Sequence, residues 1–302
     1  MAQHAKAYIF LLLTTAIWGG VYVFAKYVFA LLDPMAFLFY RFLLGGLFLF
    51  AVYLFSGGTI KKMAIQKMDI KYILMIGLGG YFLGIGFQLL GNNYCDASLA
   101  SLINSTNPVI IILMALSILK ERVTRQQIFS VGCALLGTVV IIGQINGGSS
   151  LLGALLSCGA VVCWSFGSVI VRLISSKYDA LVITILSMFI GAIAALPFSI
   201  HKQLTHPFDF AEVTPMFTFS FLFIVFISTG LSFLMWNKAL SLVNASACSL
   251  FYPVQPLVSA LLGILLLGEK ISITFVVGGL LIIFGVVVSV IPLNRTNRLS
   301  DF

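Results

Sequence analysis

Two triplets of residues repeat at helical spacing with side chains suited to holding a small molecule. Trp18, Tyr22 and Lys26 fall four residues apart, as do Trp164, Ser168 and Arg172, so each set lies along one face of a helix. Each face ends in a cation. A long basic side chain near the end of an apolar helix ordinarily reaches toward lipid headgroups, so Lys26 and Arg172 are read first in that way and second as gates or substrate anchors. Arg41 lies well inside an apolar run, where a charge either pairs within the protein or lines a pathway. Ala97, Ser101, Asn104 and Pro108 form one stripe of small and polar residues, and Ala245, Ser249, Tyr252, Pro256 and Ser259 form another. Small residues at this spacing serve close helix packing, whereas the bulk of Asn104 and Tyr252 fits a cavity better than a tight seam. Thr229, Ser232, Phe233 and Trp236 share a further face, and so do Gly77, Gly80, Gly84 and Gln88. Gly80 and Gly84 make a GxxxG spacing, whose default meaning is close approach of two helices.

Several chemistries lack the residues they need. All nine acidic residues fall in connections or at helix ends, which leaves no buried carboxylate to relay protons. His4, His201 and His206 lie in the tail and one loop, and the five cysteines form no CxxC pair, so a metal cage or a disulfide framework has no support. Phosphate-loop, HExxH and nucleophile-elbow motifs are missing, and no cofactor is expected. The sequons at Asn104, Asn244 and Asn294 fall at buried or cytoplasmic positions and are read as chance matches.

The elements that must carry these residues follow from composition. Of the 302 residues 61% are hydrophobic and 9% charged, with a mean hydropathy of +1.13, which excludes a water-soluble fold. A net charge of +8 could point to nucleic acid, but the Lys and Arg are scattered between apolar runs, so no nucleic-acid partner is expected. The first run, Tyr8 to Leu32, is too long for a signal-peptide core and lacks a clear cleavage site, and is read as a retained anchor. A membrane helix needs roughly 20 mainly apolar residues. Cutting at Gly, Pro, Asn, Asp and charge clusters predicts ten transmembrane helices, at 7–32, 35–55, 70–90, 97–119, 126–144, 151–174, 180–200, 217–240, 245–267 and 272–292. With the N-terminus inside, thirteen of the 17 Lys and Arg fall on the inner side, which places both termini in the cytoplasm.

The chain also repeats itself. Trp18 and Trp164, Lys26 and Arg172, and Asp33 and Asp179 are each 146 residues apart. Further on the offset is 148, pairing Ala97-Ser98 with Ala245-Ser246, Ser101-Leu102 with Ser249-Leu250, Pro108 with Pro256, Glu121 with Glu269, and Gly137 with Gly285. Two five-helix units, 1–146 and 147–302, are thus expected, and because five is odd the second must enter the membrane from the opposite side. Such an inverted pair encloses a midplane site that rocking can expose to either side, the geometry that transport requires. Pro108 and Pro256 are expected to kink the fourth and ninth helices toward that site, freeing the carbonyls of Asn104 and Tyr252, with Pro253 adding a second break.

With these residues in view, the chain resembles the EamA group of the drug/metabolite transporter superfamily. The likeness runs from Trp18-Gly19 and Arg41-Phe42 to the Pro108 to Glu121-Arg122 stretch and its copy from Pro256 to Gly268-Glu269-Lys270. It implies ten helices in two inverted halves, and a central cavity bounded mainly by the first, third, fourth, sixth, eighth and ninth. It further implies an exporter of amino acids or other small metabolites, with no catalytic residue. Two departures matter. Ser187 stands where the second copy would repeat Arg41, and the first helix lacks the buried glutamate of the small multidrug exporters, which counts against proton-driven drug efflux.

The expected cavity residues are therefore Trp18, Tyr22, Gln88, Asn104, Trp164, Ser168, Trp236 and Tyr252, with helix kinks at Pro108, Pro253 and Pro256. Lys26, Arg41 and Arg172 are expected as gates or charge pairs. The expected partners are a small-molecule substrate and the bilayer of the cell's plasma membrane, with the chain a monomer or weak homodimer. An antiporter of nucleotide sugars or phosphorylated compounds is the alternative within transport, and needs Lys26 and Arg172 to converge at mid-depth. A membrane-bound enzyme or sensor is disfavoured for want of acid, His or Cys clusters.

Overall fold

A computed structural model describes residues 2–120, 125–142, 148–205, 208–243, 245, 248 and 251–290. Glu121, Arg122, His206, Asn244, Ser246, Ser249, Leu250 and Asn294, which entered the sequence reading, lie outside the described residues. Among those described there is no strand, and the chain is a bundle of long helices. They run α1 (Ala2–Phe29), α2 (Pro34–Phe55), α3 (Lys67–Tyr94), α4 (Ala97–Leu119), α5 (Arg125–Ile142), α6 (Gly148–Ile174), α7 (Ala180–Thr205), α8 (Pro215–Leu242), α9 (Val254–Leu267) and α10 (Ile273–Val290).

Seven of the described helices are long and apolar enough to cross a membrane, namely α1 to α4 and α6 to α8, while α9 is a shorter apolar helix. Their outer surface is what a bilayer would solvate. Ile9, Val139, Ile193, Leu257, Leu265 and Leu280 are more than half exposed, an apolar exterior that water would not tolerate. This is a multi-pass membrane protein.

Local chemistry sets the helix starts. Asp33 accepts the backbone N–H groups of Met35 at 2.9 Å and Ala36 at 3.4 Å, with Pro34 in the first turn of α2 where its missing N–H is no loss. Asp179, its counterpart 146 residues on, accepts the N–H of Leu181 at 2.7 Å at the start of α7. Helix boundaries run past those expected where polar ends are held. α3 continues to Tyr94 rather than stopping at 90, because the Asn92 amide donates to the Tyr22 carbonyl at 2.8 Å.

The prolines do more than kink. α4 stops at Asn104, turns through Ser105 and Thr106, and restarts at Asn107 with Pro108 in the new first turn. In the second copy the chain turns through 251–253 before α9 restarts, with Pro256 in its first turn. Pro253 makes no separate break; it caps the same interruption. The freed carbonyls find partners at once, Asn104 O from the Asn107 amide at 2.6 Å and Tyr252 O from the Gln255 N–H at 2.9 Å. The 148-residue offset persists in backbone detail. Wide π-type turns occupy Ala115–Leu119 and Gly263–Leu267, and each is ended by a left-handed residue, Lys120 at φ 55° and Gly268 at φ 68°.

Packing pairs the halves. α2 lies on α7 and α5 on α10, each the counterpart of the other, while α3 packs on α6 and α1 on α8 and α9. Glycines permit the tightest crossings. A Cβ added to Gly80 would sit 2.8 Å from the Gly167 Cα, and one on Gly84 would sit 3.0 Å from the Trp164 nitrogen, so the GxxxG spacing is where α3 meets α6.

Candidate functional site

One pocket lies at the meeting of α1, α2, α3, α4, α6, α8 and α9. Its polar lining comes from Gln88, from Asn104 and Asn107 at the α4 interruption, from Gln255 just past the α9 interruption, and from Arg41. Trp18, Trp164, Phe233 and Tyr252 form its aromatic wall, with Val21, Gly84 and Ile85 between. The free space is about 20 Å³, room for roughly one water.

The aromatic wall is a cluster centred on two repeat counterparts. Trp18 and Trp164 meet edge to face with ring centroids 5.3 Å apart, and Phe233 lies 5.5 Å from the first and 5.3 Å from the second. Trp18 donates its indole N–H to the Ser228 carbonyl at 3.1 Å, and Trp164 donates its own to the Tyr252 hydroxyl. These bonds fix both indoles.

The polar side is equally tied. Gln88 donates to the Tyr22 hydroxyl at 2.7 Å, and Asn107, besides holding the Asn104 carbonyl, accepts from the Ser165 hydroxyl at 2.9 Å, joining the interruption in α4 to α6. Arg41 is 1% exposed, donates from Nε to the Thr229 hydroxyl, and stands 5.7 Å from the Phe233 ring centroid.

Of the eight residues expected to line a cavity, Trp18, Gln88, Asn104, Trp164 and Tyr252 do so. Tyr22 stands one step behind, bonded to Gln88. Trp236 is fully buried behind the wall, 5.3 Å from Trp18 and 5.1 Å from Tyr252. Ser168 is buried away from the pocket. The sequence pattern missed Asn107 and Gln255. They are 148 residues apart and each immediately precedes its repeat proline, a signal available in the repeat register.

Lys26 and Arg172 do not converge. Lys26 donates to the Cys95 carbonyl at 2.7 Å between α3 and α4, whereas Arg172 donates to the Leu240 carbonyl at 2.9 Å near the ends of α6 and α8. Around Lys26, Glu269 accepts the N–H groups of Ala97 at 2.7 Å and Ser98 at 3.1 Å, together with the Ser98 hydroxyl at 2.5 Å, so a carboxylate past α9 closes the first turn of α4. Burial raises the Asp96 carboxyl above its usual range, and the nearby Glu269 adds to this against the pull of Lys26. Elsewhere Lys202 pairs with Asp33 and Lys177 with Asp69, each at 3.3 Å.

Apolar helices that enclose a partly polar pocket beside the interruptions of α4 and α9 define a multi-pass membrane protein with a polar interior site. The family model for EamA-like transporters matches residues 5–143 and again 151–291, and the chain belongs to that family. It is 28% identical over 292 residues to the uncharacterized transporter YyaM of Bacillus subtilis, covering 94% of this chain and 93% of that one. It is likewise 28% identical over 285 residues to an uncharacterized transporter of Archaeoglobus fulgidus, covering 94% and 99%. A protein of known crystal structure superposes with a TM-score of 0.71 at 19% identity, over 95% of this chain and 98% of its own, a likeness of fold. The chain is a membrane transporter.

Proposed function

We propose that the protein is a plasma-membrane exporter of amino-acid-sized amphipathic metabolites, working by alternating access between two inverted five-helix halves, 1–146 and 147–302. In this reading ten helices cross the bilayer and both termini are cytoplasmic. The carrying observation is that the pocket forms where the interruptions of α4 and α9, equivalent in the repeat, come together. Broken helices at mid-depth present backbone and amide groups to a solute without exposing them to lipid.

The asymmetry of the lining supports the same reading. Gln88, Arg41 and Asn104 line the pocket with polar groups, backed by Tyr22, whereas of their repeat counterparts Trp236, Ser187, Tyr252 and Ser168 it is Tyr252 that reaches the lining. Both halves line the pocket, the first with Trp18, Arg41, Gln88, Asn104 and Asn107 and the second with Trp164, Phe233, Tyr252 and Gln255, but the repeat-related positions around it are filled differently. Inverted halves that exchange these two packings would move a solute across, and the small free volume corresponds to the closed stage of that exchange. Export rather than uptake follows the family resemblance.

The phosphorylated-solute alternative is not the reading adopted, since Lys26 donates to the Cys95 carbonyl and Arg172 to the Leu240 carbonyl and neither lines the pocket. The test is flux in liposomes holding the purified protein, using a broad panel of amino acids, organic acids and amines in both directions. Saturable movement of at least one compound over protein-free liposomes is expected. If none of the panel moves in either direction, the transport mechanism proposed for this pocket fails.

A further inference from the structure

Arg41 is a buried cation with no acid beside it among the described residues. It enters α2 seven residues after Pro34, about 10 Å along the helix, and its side chain is 1% exposed while lining the pocket. Nε is bound to the Thr229 hydroxyl, but among the described residues Nη1 has no hydrogen-bonding partner. Both ion pairs described lie elsewhere, and Glu269 is engaged with the first turn of α4. A charge in the interior of a membrane protein is costly unless paired, so a guanidinium left open toward a cavity is a site for an anion.

We propose that Arg41 binds the carboxylate of the transported solute, and that the preferred solute is a monoanionic carboxylate with a flat apolar body. The proposal rests on the pocket being the transport site. A guanidinium engages a carboxylate through paired N–H donors, which a neutral amide cannot match. The remaining polar lining, Gln88, Asn104, Asn107 and Gln255, is neutral, and among the described residues no carboxylate lines the pocket to hold an ammonium group. An amino acid's cationic end would be stripped of water there without a counterion. A dianion would need a second cation, and among the described residues none besides Arg41 lines the pocket. The polarity is also directional, because Ser187 takes the place of a second arginine and the apolar body is left to Trp18, Trp164 and Phe233.

Three probes share one body and differ in charge: phenylacetate, phenylalanine and phenethylamine. Each is followed by counterflow at neutral pH in liposomes holding the full-length protein, with protein-free liposomes subtracted. Phenylacetate is expected to exchange about tenfold or more faster than the other two, and Arg41→Gln to raise its KM by a similar factor. Arg41→Lys keeps the charge without the paired donors, and an intermediate KM is expected. If Arg41→Gln does not fold, the wild-type protein decides, with phenylacetate expected to raise its melting temperature and phenethylamine to leave it unchanged. Equal or better transport of phenylalanine or phenethylamine, an unchanged KM in a folded Arg41→Gln variant, or no thermal shift with phenylacetate overturns the anchor. Movement of other metabolites but none of these probes overturns it too, while leaving the transport reading intact. No movement of any compound in the wider panel brings down the transport reading itself.

Discussion

Asn107 shows how one side chain ties the site together. Its amide nitrogen satisfies the Asn104 carbonyl that Pro108 frees, and its oxygen accepts from Ser165 on the opposite half of the chain. Replacing Asn107 by Leu leaves two buried groups without partners at about 1–3 kcal/mol each, and the melting temperature in detergent is expected to drop by roughly 5–15 °C. A variant as stable as the parent would show that these bonds contribute nothing. Legibility at this scale was uneven. Gln88, Asn104, Trp18, Trp164 and Tyr252 stand out as bulky polar or aromatic groups in apolar runs, and the pocket gathers them. Ser168 shared the spacing of Tyr22 but is buried away from the pocket, and spacing alone does not say which face of a helix meets a cavity. Asn107 and Gln255 were hidden by their position beside prolines, where a polar residue reads as part of a turn.

At the scale of elements, the proline interruptions were legible because a missing N–H has a fixed consequence. The π-type turns were not, since they arise from packing rather than from any residue type. Restoring both N–H groups by Pro253→Ala together with Pro256→Ala is expected to cut flux by about tenfold or more while leaving the protein folded, because a continuous helix loses the carbonyl and amide display at the pocket. Flux equal to the parent's would separate the interruption from transport. The α3–α6 crossing admits no side chain at Gly80. Gly80→Val is expected to abolish monodisperse protein on size exclusion, since the atom it meets is backbone and cannot turn aside, and Gly80→Ala to be milder. Gly263 plays a different part, as an added Cβ would lie 2.6 Å from a Glu269 carboxylate oxygen. Both Gly263→Ala and Glu269→Ala are expected to loosen the start of α4, seen as faster modification of the buried Cys95 by maleimide in a variant retaining that thiol alone. Cys95, whose thiol burial pushes up to about 12, reacts slowly while the closure holds.

For the whole molecule, the duplication was the clearest feature of the sequence because its offset is carried by residues that shape the backbone. Asp33 and Asp179 cap equivalent helices, and Lys120 and Gly268 end equivalent ones in the left-handed conformation. What the duplication does not reveal is its own asymmetry, Gln88 lining the pocket where its counterpart Trp236 packs behind the aromatic wall, since that depends on pairs that differ between copies. Alternating access requires the two halves to exchange their arrangements around the pocket. Accessibility of a thiol at position 88 tests this most directly, using Gln88→Cys in a background without the native cysteines and membrane-impermeant maleimide applied to sealed vesicles of either orientation. Labelling from both faces, reduced on each by a transported solute, is the result expected. Labelling confined to one face under every solute gradient would contradict alternating access through this pocket.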